Sequence, residues 1–306
     1  MSKAKHLYII GNGFDLHHGI PSRYSDFRQW LYQEHNGIID DNFHGCDNDE
    51  WWNDFESHFA DINIESIAME ETMQNRPNFG SDDFKDRDWY IAESEAENRI
   101  IDIYATINEE LFRWVRQLPT VSVKRVRFES RNARFLTFNY TLTLEKLYRI
   151  PSKRILHIHG SVNKNAEGIV IGHDSSYYEI HGNVKPYSYR GDDDDIADSE
   201  GFILNRTTDA CISVVSDYRK PVYEIINHHQ EWMQSLNDIT HIHVYGHSFG
   251  DIDMPYFEYI AKTTSSNNVF WEISAFSETD RKRIEQFVLS QKIANYKIID
   301  LQSITI

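Results

Sequence analysis

The chain alternates short apolar runs, rich in Ile, Val and Phe, with longer stretches of helical periodicity. Near-continuous apolarity over so few residues suits strands that are covered on both faces. The predicted strands are residues 6–10, 134–138, 154–158, 168–171, 241–245, 269–274 and 297–301. Because helical stretches lie between several of these strands, the pattern predicts an α/β fold with a doubly wound, mainly parallel, Rossmann-like sheet.

Helices are predicted where apolar positions keep one stripe at helical spacing. Such stripes run through residues 100–118 and 222–236. A last helix is predicted to open with Ser277 and Asp280, which have the spacing of a capping box.

We expect a single α/β domain over residues 1–306, with a mostly helical insertion at about 36–125. The insertion is expected because residues 11–133 separate the first two clear strands, far more than one crossover helix needs. Residues 174–208 are predicted to be a flexible acidic loop, since they carry the run from Asp192 to Asp195 together with glycine and proline. A solvated surface is the favoured interpretation of the acidic run, with a cation site as the alternative.

Composition excludes several classes of function. A formal net charge of -17 over 306 residues argues against a surface built to neutralise nucleic-acid phosphates. The chain has no apolar run long enough for a signal peptide or a bilayer span, so it is predicted to be cytoplasmic and not bound to membranes. The two cysteines, Cys46 and Cys211, stand far apart, which favours neither a disulfide framework nor a zinc ribbon, and no metal site is predicted.

The first candidate for a binding site is the segment Gly11-Asn12-Gly13, which lies where the first strand ends. Glycines at this position let the backbone approach a pyrophosphate and point amide groups at its charge. The next glycine, Gly19, comes six residues after Gly13 rather than three, so the usual dinucleotide pattern is absent. From the residues alone, a plain tight turn is a comparable interpretation.

The second and third strands also end in polar residues. Asn139 follows the second strand, where it is either a ligand-binding amide or a helix cap. His159 and Gly160 end the third strand, and a neutral imidazole there is suited to accept a proton near pH 7. His157, two residues deeper, is interpreted as a core histidine. Arg154 and His159 also match an Arg-x4-His nuclease pattern, but on a strand rather than on a helix.

The segment from Gly246 to Gly250 has the spacing of a Gly-x-Ser-x-Gly nucleophile elbow with Ser248 as the nucleophile. In α/β-hydrolases the catalytic histidine follows the serine along the chain, and no histidine follows Ser248 in this sequence. The hydrolase interpretation is therefore disfavoured.

Together, these segments resemble those of sirtuin-like domains, in the same order along the chain. The resemblance implies that Gly11, Asn12, Gly13, Asp15, Gly160, Gly246, Ser248, Asp251 and Asp253 bind NAD, and that Asn139 and His159 are catalytic. Asn139 would hold the ribose and the attacking water, and His159 would be the general base. Asp15 and Thr141 depart from the sirtuin pattern, which has serine and aspartate at these positions.

With the Trp-Trp-Asn-Asp-Phe-Glu stretch at residues 51–56, the chain resembles the AbiH family of phage abortive-infection proteins from Leu7 to about Phe257. The resemblance implies an NAD glycohydrolase that cleaves the nicotinamide–ribose bond in anti-phage defence, with NAD as substrate and no further cofactor. The alternative is a non-catalytic module that senses NAD or ADP-ribose in the same defence role. A homo-oligomer, a phage-derived trigger and a defence-system partner all stay open.

Overall fold

A computed structural model describes residues 5–129, 132–163, 168–184, 195–264 and 268–306, with the backbone alone at 195–198. Contacts between residues divide the chain into two compact units. The first, called the sheet unit here, comprises Met1–Phe27, Leu111–Val170 and Pro221–Ile306; the second, the helical unit, comprises Arg28–Glu110 and Ile171–Lys220. The helical unit therefore combines most of the predicted insertion with a second segment that the sequence analysis left in the single domain.

Six strands form one sheet. They are β1 (His6–Ile10), β2 (Arg134–Thr137), β3 (Ile155–His157), β4 (His241–Tyr245), β5 (Phe270–Ser274) and β6 (Tyr296–Ile299). Their order is β3-β2-β1-β4-β5-β6, and every neighbouring pair is parallel. This order puts the topological switch point between β1 and β4. The predicted α/β, Rossmann-like parallel sheet is confirmed.

Twelve α-helices are present in the described part of the chain. They are α1 (Asn12–His17), α2 (Tyr24–Glu34), α3 (Asp49–Asn53), α4 (Ile64–Gln74), α5 (Ile91–Gln117), α6 (Thr143–Tyr148), α7 (Tyr177–Asn183), α8 (Asp195–Asp217), α9 (Val222–His228), α10 (Gln230–Gln234), α11 (Met254–Thr264) and α12 (Glu278–Ser290). None of the helices in the described residues is both long and apolar enough to cross a bilayer.

Both faces of the sheet are buried, which explains why its strands are apolar at nearly every position. Alternate strand residues enter two different hydrophobic clusters. One cluster includes Leu7, Ile9, Leu136, Ile242 and Val244. The other includes Tyr8, Ile10, Phe135 and Tyr245.

The helical predictions for the sheet unit hold with one interruption. Ser277 caps α12 as predicted: its hydroxyl accepts from the Asp280 amide at 3.0 Å, and the Asp280 carboxylate accepts from the Ser277 amide at 2.9 Å. The single stripe at 222–236 is divided into α9 and α10 at His229, whose φ of -100° and ψ of 17° leave the α region.

In the helical unit, aromatic side chains and one ion pair fix the segment that follows α2. Trp51 and Trp52 of α3 are buried, and the Trp52 indole donates to the Cys46 carbonyl at 2.8 Å. Nζ of the buried Lys220 lies 2.6 Å from the Glu56 carboxylate. The tryptophan-rich stretch is therefore part of a packed core.

Two sequence-based predictions are corrected. Residues 168–171 form no strand; the Val170 carbonyl accepts from the Tyr140 hydroxyl at 2.8 Å, and the Val170 amide donates to the His159 carbonyl at 2.9 Å. Residues 174–208, predicted to be a loop, contain α7 and more than half of α8. A capping box between Ser176 and Glu179, overlooked in the sequence, starts α7. Residues 192–194 of the acidic run lie outside the described residues, and Asp195 begins α8.

Candidate functional site

The segments singled out in the sequence follow four adjacent strands of the sheet unit. Gly11 follows β1, Asn139 follows β2, His159 follows β3 and Gly246 follows β4, and the order of these strands is β3-β2-β1-β4. Because all four strands are parallel, their carboxyl ends meet at one edge of the sheet. The structure therefore brings these four segments together.

The glycines at the switch point let the loop after β1 pack on the loop after β4. The Gly13 amide donates to the Gly246 carbonyl at 2.8 Å. A Cβ atom on Gly13 would lie 2.9 Å from Gly246 Cα, and one on Gly246 would lie 2.1 Å from the Phe14 amide nitrogen. The Gly13 amide, assigned to a pyrophosphate in the sequence analysis, is thus engaged within the protein.

Gly160, in the loop after β3, also occupies a position where a side chain does not fit. Its φ is +82°, in the left-handed region that favours glycine, and an added Cβ would overlap the Gly168 carbonyl. The Val170 amide donates to the His159 carbonyl at 2.9 Å. This close approach brings the segment at 168–170 over the end of β3 and fixes the backbone of His159.

Asn139 lies in a buried polar network. Its Nδ2 atom donates to the Gly11 carbonyl at 3.1 Å, so the end of β2 is tied to the end of β1. The Thr141 hydroxyl donates to Oδ2 of Asp15 at 2.5 Å. Thr141, which departs from the sirtuin pattern, thus contacts the other departing residue, Asp15.

Asp15 is fully buried. Burial raises the pKa of its carboxyl to about 6, although hydrogen bonds from Thr141, Thr143 and Asn139 oppose the rise. A fully buried side chain touches no solvent-borne ligand, so a nucleotide contact by Asp15 requires a conformation other than this one. In this conformation Asp15 accepts a hydrogen bond from Thr141, two residues after Asn139.

His159 is 2% exposed, and Asp253 lies beside it. Its Nε2 atom is 3.2 Å from the Tyr256 hydroxyl and 3.7 Å from Oδ1 of Asp253. The other carboxylate oxygen of Asp253 is 3.3 Å from Nε2 of His247. Asp253 therefore lies between two imidazoles, His159 and His247.

A second contact of His247 determines which ring nitrogen carries the hydrogen when the imidazole is neutral. The backbone amide of Phe249 donates to Nδ1 of His247 at 2.9 Å. Since an amide only donates, Nδ1 is the acceptor and the ring hydrogen of a neutral His247 lies on Nε2, facing Asp253. His247 thus orients the carboxylate that faces His159.

Three neighbours of His159 were missed in the sequence analysis: Phe138, His247 and Tyr256. Phe138 packs edge-on against both His159 and His247, with ring centroids 5.2 and 4.4 Å apart. Tyr256 comes three residues after Asp253, a spacing that puts both on one face of a helical turn and could have identified it. His247 directly follows Gly246 at a strand end, but the sequence analysis considered only Ser248 as the reactive residue of this segment and gave His247 no role.

The remaining predicted residues are more peripheral. Ser248 and Asp251 are exposed, and Asn12 is exposed and bonded to Ser22 through both its amide nitrogen and its oxygen. Of the two other candidates, His157 contacts the Asn139 carbonyl at 3.1 Å and Glu145 at 2.9 Å, as suits a structural histidine. Arg154 donates to the Ala133 carbonyl at 2.8 Å.

Comparison with models of protein families shows the family of this chain. The family model described as bacteriophage abortive infection AbiH matches residues 7–275. No curated protein and no solved structure gives a significant match. Because the family model spans most of the sequence, including all four strand-end segments, the chain belongs to the AbiH family and has a role in phage abortive infection.

Proposed function

We propose that this AbiH protein hydrolyses NAD at the nicotinamide–ribose bond, and that Asn139 and His159 carry the reaction. The observation that supports the proposal most directly is the position of His159 and Asp253. The Asp253 carboxylate, 3.7 Å from Nε2, is beyond hydrogen-bond distance but close enough for its charge to stabilise the imidazolium that forms when His159 acts as a general base.

The chemistry needs few groups from the protein. The bond from C1′ of the ribose to the nicotinamide nitrogen breaks, and nicotinamide leaves neutral with the bonding electrons. Water adds to the oxocarbenium-like C1′, and its proton passes to His159, giving ADP-ribose. The Asn139 amide is suited to bind a ribose hydroxyl, and its bond to Gly11 holds it at the carboxyl end of β2.

Asp253 has a different role in this proposal from the ribose contact that the sirtuin resemblance implies. Its carboxylate holds His159 and His247 rather than facing solvent, so it acts as a positioning residue. The exposed Ser248 and Asp251 are free of that constraint and are proposed to contact the adenosine side of NAD.

The burial of His159 implies that turnover requires a conformational change. At 2% exposure the imidazole does not meet a nucleotide in this conformation, and only an open state of the protein is competent. Such a resting state suits abortive infection, in which the infected cell is lost and uninfected cells must be spared.

The proposal is tested in bacteria that carry the gene and are infected with a phage that it restricts. Cellular NAD and free nicotinamide are followed after infection, with cells that carry a His159→Gln variant as the control. Loss of NAD with release of nicotinamide in the parent alone is expected. Restriction of the phage with unchanged NAD in both strains would favour the sensor alternative and contradict hydrolysis.

A further inference from the structure

A cluster of metal-ligating side chains lies away from the candidate site, toward the amino ends of β1 and β4. Nδ1 of His6, Nε2 of His243 and a carboxylate oxygen of Glu129 all lie within 4.8 Å of one another. The two histidine nitrogens are 3.0 Å apart. His6 begins β1 and His243 lies in the middle of β4, whereas the candidate site lies beyond the carboxyl ends of the strands.

We propose that His6, His243 and Glu129 bind a divalent transition-metal ion of the Zn²⁺ class. Two imidazoles and one carboxylate are a donor set that suits such ions and leaves a coordination position for water. The nitrogens of a tetrahedral zinc site are about 3.3 Å apart, so the two rings have to separate by about 0.3 Å and each turn by about 35° for their lone pairs to converge on the ion instead of facing each other.

A carboxylate behind His243 fixes which of its nitrogens faces the proposed ion. Nδ1 of His243 lies 2.9 Å from Oε1 of Glu272, to which Tyr245 also donates. A carboxylate oxygen accepts, so Glu272 faces the Nδ1 hydrogen of a neutral His243 and leaves the Nε2 lone pair directed at His6. Histidine ligands of metals commonly have such a partner.

A third imidazole, that of His241, lies beside the two proposed histidine ligands. The rings of His6 and His241 are stacked with centroids 4.6 Å apart, and those of His6 and His243 with centroids 5.3 Å apart.

The third ligand belongs to a segment that is anchored to the sheet. The backbone amide of Glu129 donates to the Tyr8 hydroxyl at 2.7 Å, and the Tyr8 ring stacks on His243 with centroids 4.3 Å apart. The Glu129 side chain is exposed, and one of its carboxylate oxygens lies within 4.8 Å of both nitrogens. A hydrogen bond between two histidines would explain their closeness but not this third group.

The test uses the full chain, freed of metal by a chelator and titrated with ZnCl₂ by calorimetry near neutral pH. One Zn²⁺ per chain is expected, with no comparable uptake of Mg²⁺, which prefers oxygen ligands. His6→Gln and Glu129→Gln are each expected to weaken Zn²⁺ binding at least about 10-fold, and Glu272→Gln about 10- to 100-fold. His228→Gln, which changes an exposed histidine on α9, is the matched control.

A second measurement guards against misfolded variants. Zn²⁺ is expected to raise the melting temperature of the parent and of His228→Gln, but not that of His6→Gln, since only a native-state ligand stabilises the fold. His6 is partly exposed at a strand end, so its variant should fold. Absence of Zn²⁺ uptake by the parent, or equal uptake by His6→Gln and His228→Gln, would overturn the site. NAD turnover is not used, so the outcome is independent of the proposed function.

Discussion

The Asp253 carboxylate lies 3.7 Å from Nε2 of His159. These two residues come from distant segments of the sheet unit: His159 lies two residues after β3, and Asp253 lies in a 3-10 turn directly before α11. Their approach, with His247 on the other side of the carboxylate, gives the candidate site its most specific chemical feature.

Replacing Asp253 with Asn is expected to lower kcat for NAD hydrolysis by about 10²-fold, because the imidazolium formed at His159 loses its carboxylate. The acid limb of the rate profile should also move to lower pH, since a less stabilised imidazolium loses its proton at lower pH. Steady-state rates between about pH 5 and 9 measure both effects. Glu258→Gln, an exposed change on α11, is the control. An unchanged pH profile with a reduced rate would indicate a purely structural role.

Ser248→Ala is expected to keep much of the activity. Ser248 is exposed, and the loss of one ribose hydrogen bond should raise KM by a factor that corresponds to about 0.5 to 1.5 kcal/mol. A nucleophile, in contrast, would be indispensable. Kinetic constants for the variant distinguish the two, and complete loss of turnover with intact NAD binding would revive the serine-hydrolase interpretation.

Gly246→Ala is expected to destabilise the sheet unit far more than Gly19→Ala does. Both glycines have a positive φ, of 70° and 76°, so both changes incur the left-handed cost of about 1 to 2 kcal/mol. At Gly246 the new Cβ also meets the Phe14 amide nitrogen at 2.1 Å, whereas nothing lies within 4 Å at Gly19. Urea unfolding should give a loss of at least about 3 kcal/mol for Gly246→Ala. Equal losses for the two variants would contradict the packing account.

Because of Asp15, the free energy of unfolding should fall as pH rises. Its folded pKa of about 6 exceeds the ordinary value of 3.8, so the folded state holds the proton more tightly. The stabilisation is complete below about pH 4 and is lost as pH rises through about 6. The unfolding free energy of the parent minus that of Asp15→Asn should therefore fall by about 2 to 3 kcal/mol over this window. A difference that stays flat with pH would show that Asp15 titrates normally.

The sequence predicted the sheet well because strands buried on both faces have a composition that is visible in a single sequence. Residues 168–171 share that composition but form no strand. An apolar run indicates that a segment is buried, but it does not show whether the backbone of that segment pairs with a neighbouring strand. The helix at Tyr177–Asn183 was missed because nearby glycine and proline outweighed the Ser176 capping box.

Within the candidate site, Asn139 and His159 could be found because each is a polar residue directly after an apolar strand. Asp15 shows the limit of such reasoning: the sequence places it beside a glycine loop, but only the structure shows it fully buried against Thr141. His6, Glu129 and His243 come from three distant segments, so no spacing in the sequence could have grouped them.

The most direct test of the central claim compares nicotinamide release from NAD by the purified parent protein and by His159→Gln. Glutamine is chosen because His159 packs against Phe138 and Tyr256, and a smaller side chain would leave a cavity. The reaction is followed for hours at high protein concentration, since a minor open state still turns over slowly. The parent should release nicotinamide and ADP-ribose in equal amounts, and the variant should be slower by about 10² to 10⁴ with an unchanged melting temperature. Release by the parent that does not exceed release by a normally folded His159→Gln would contradict the assignment of NAD hydrolysis to this site.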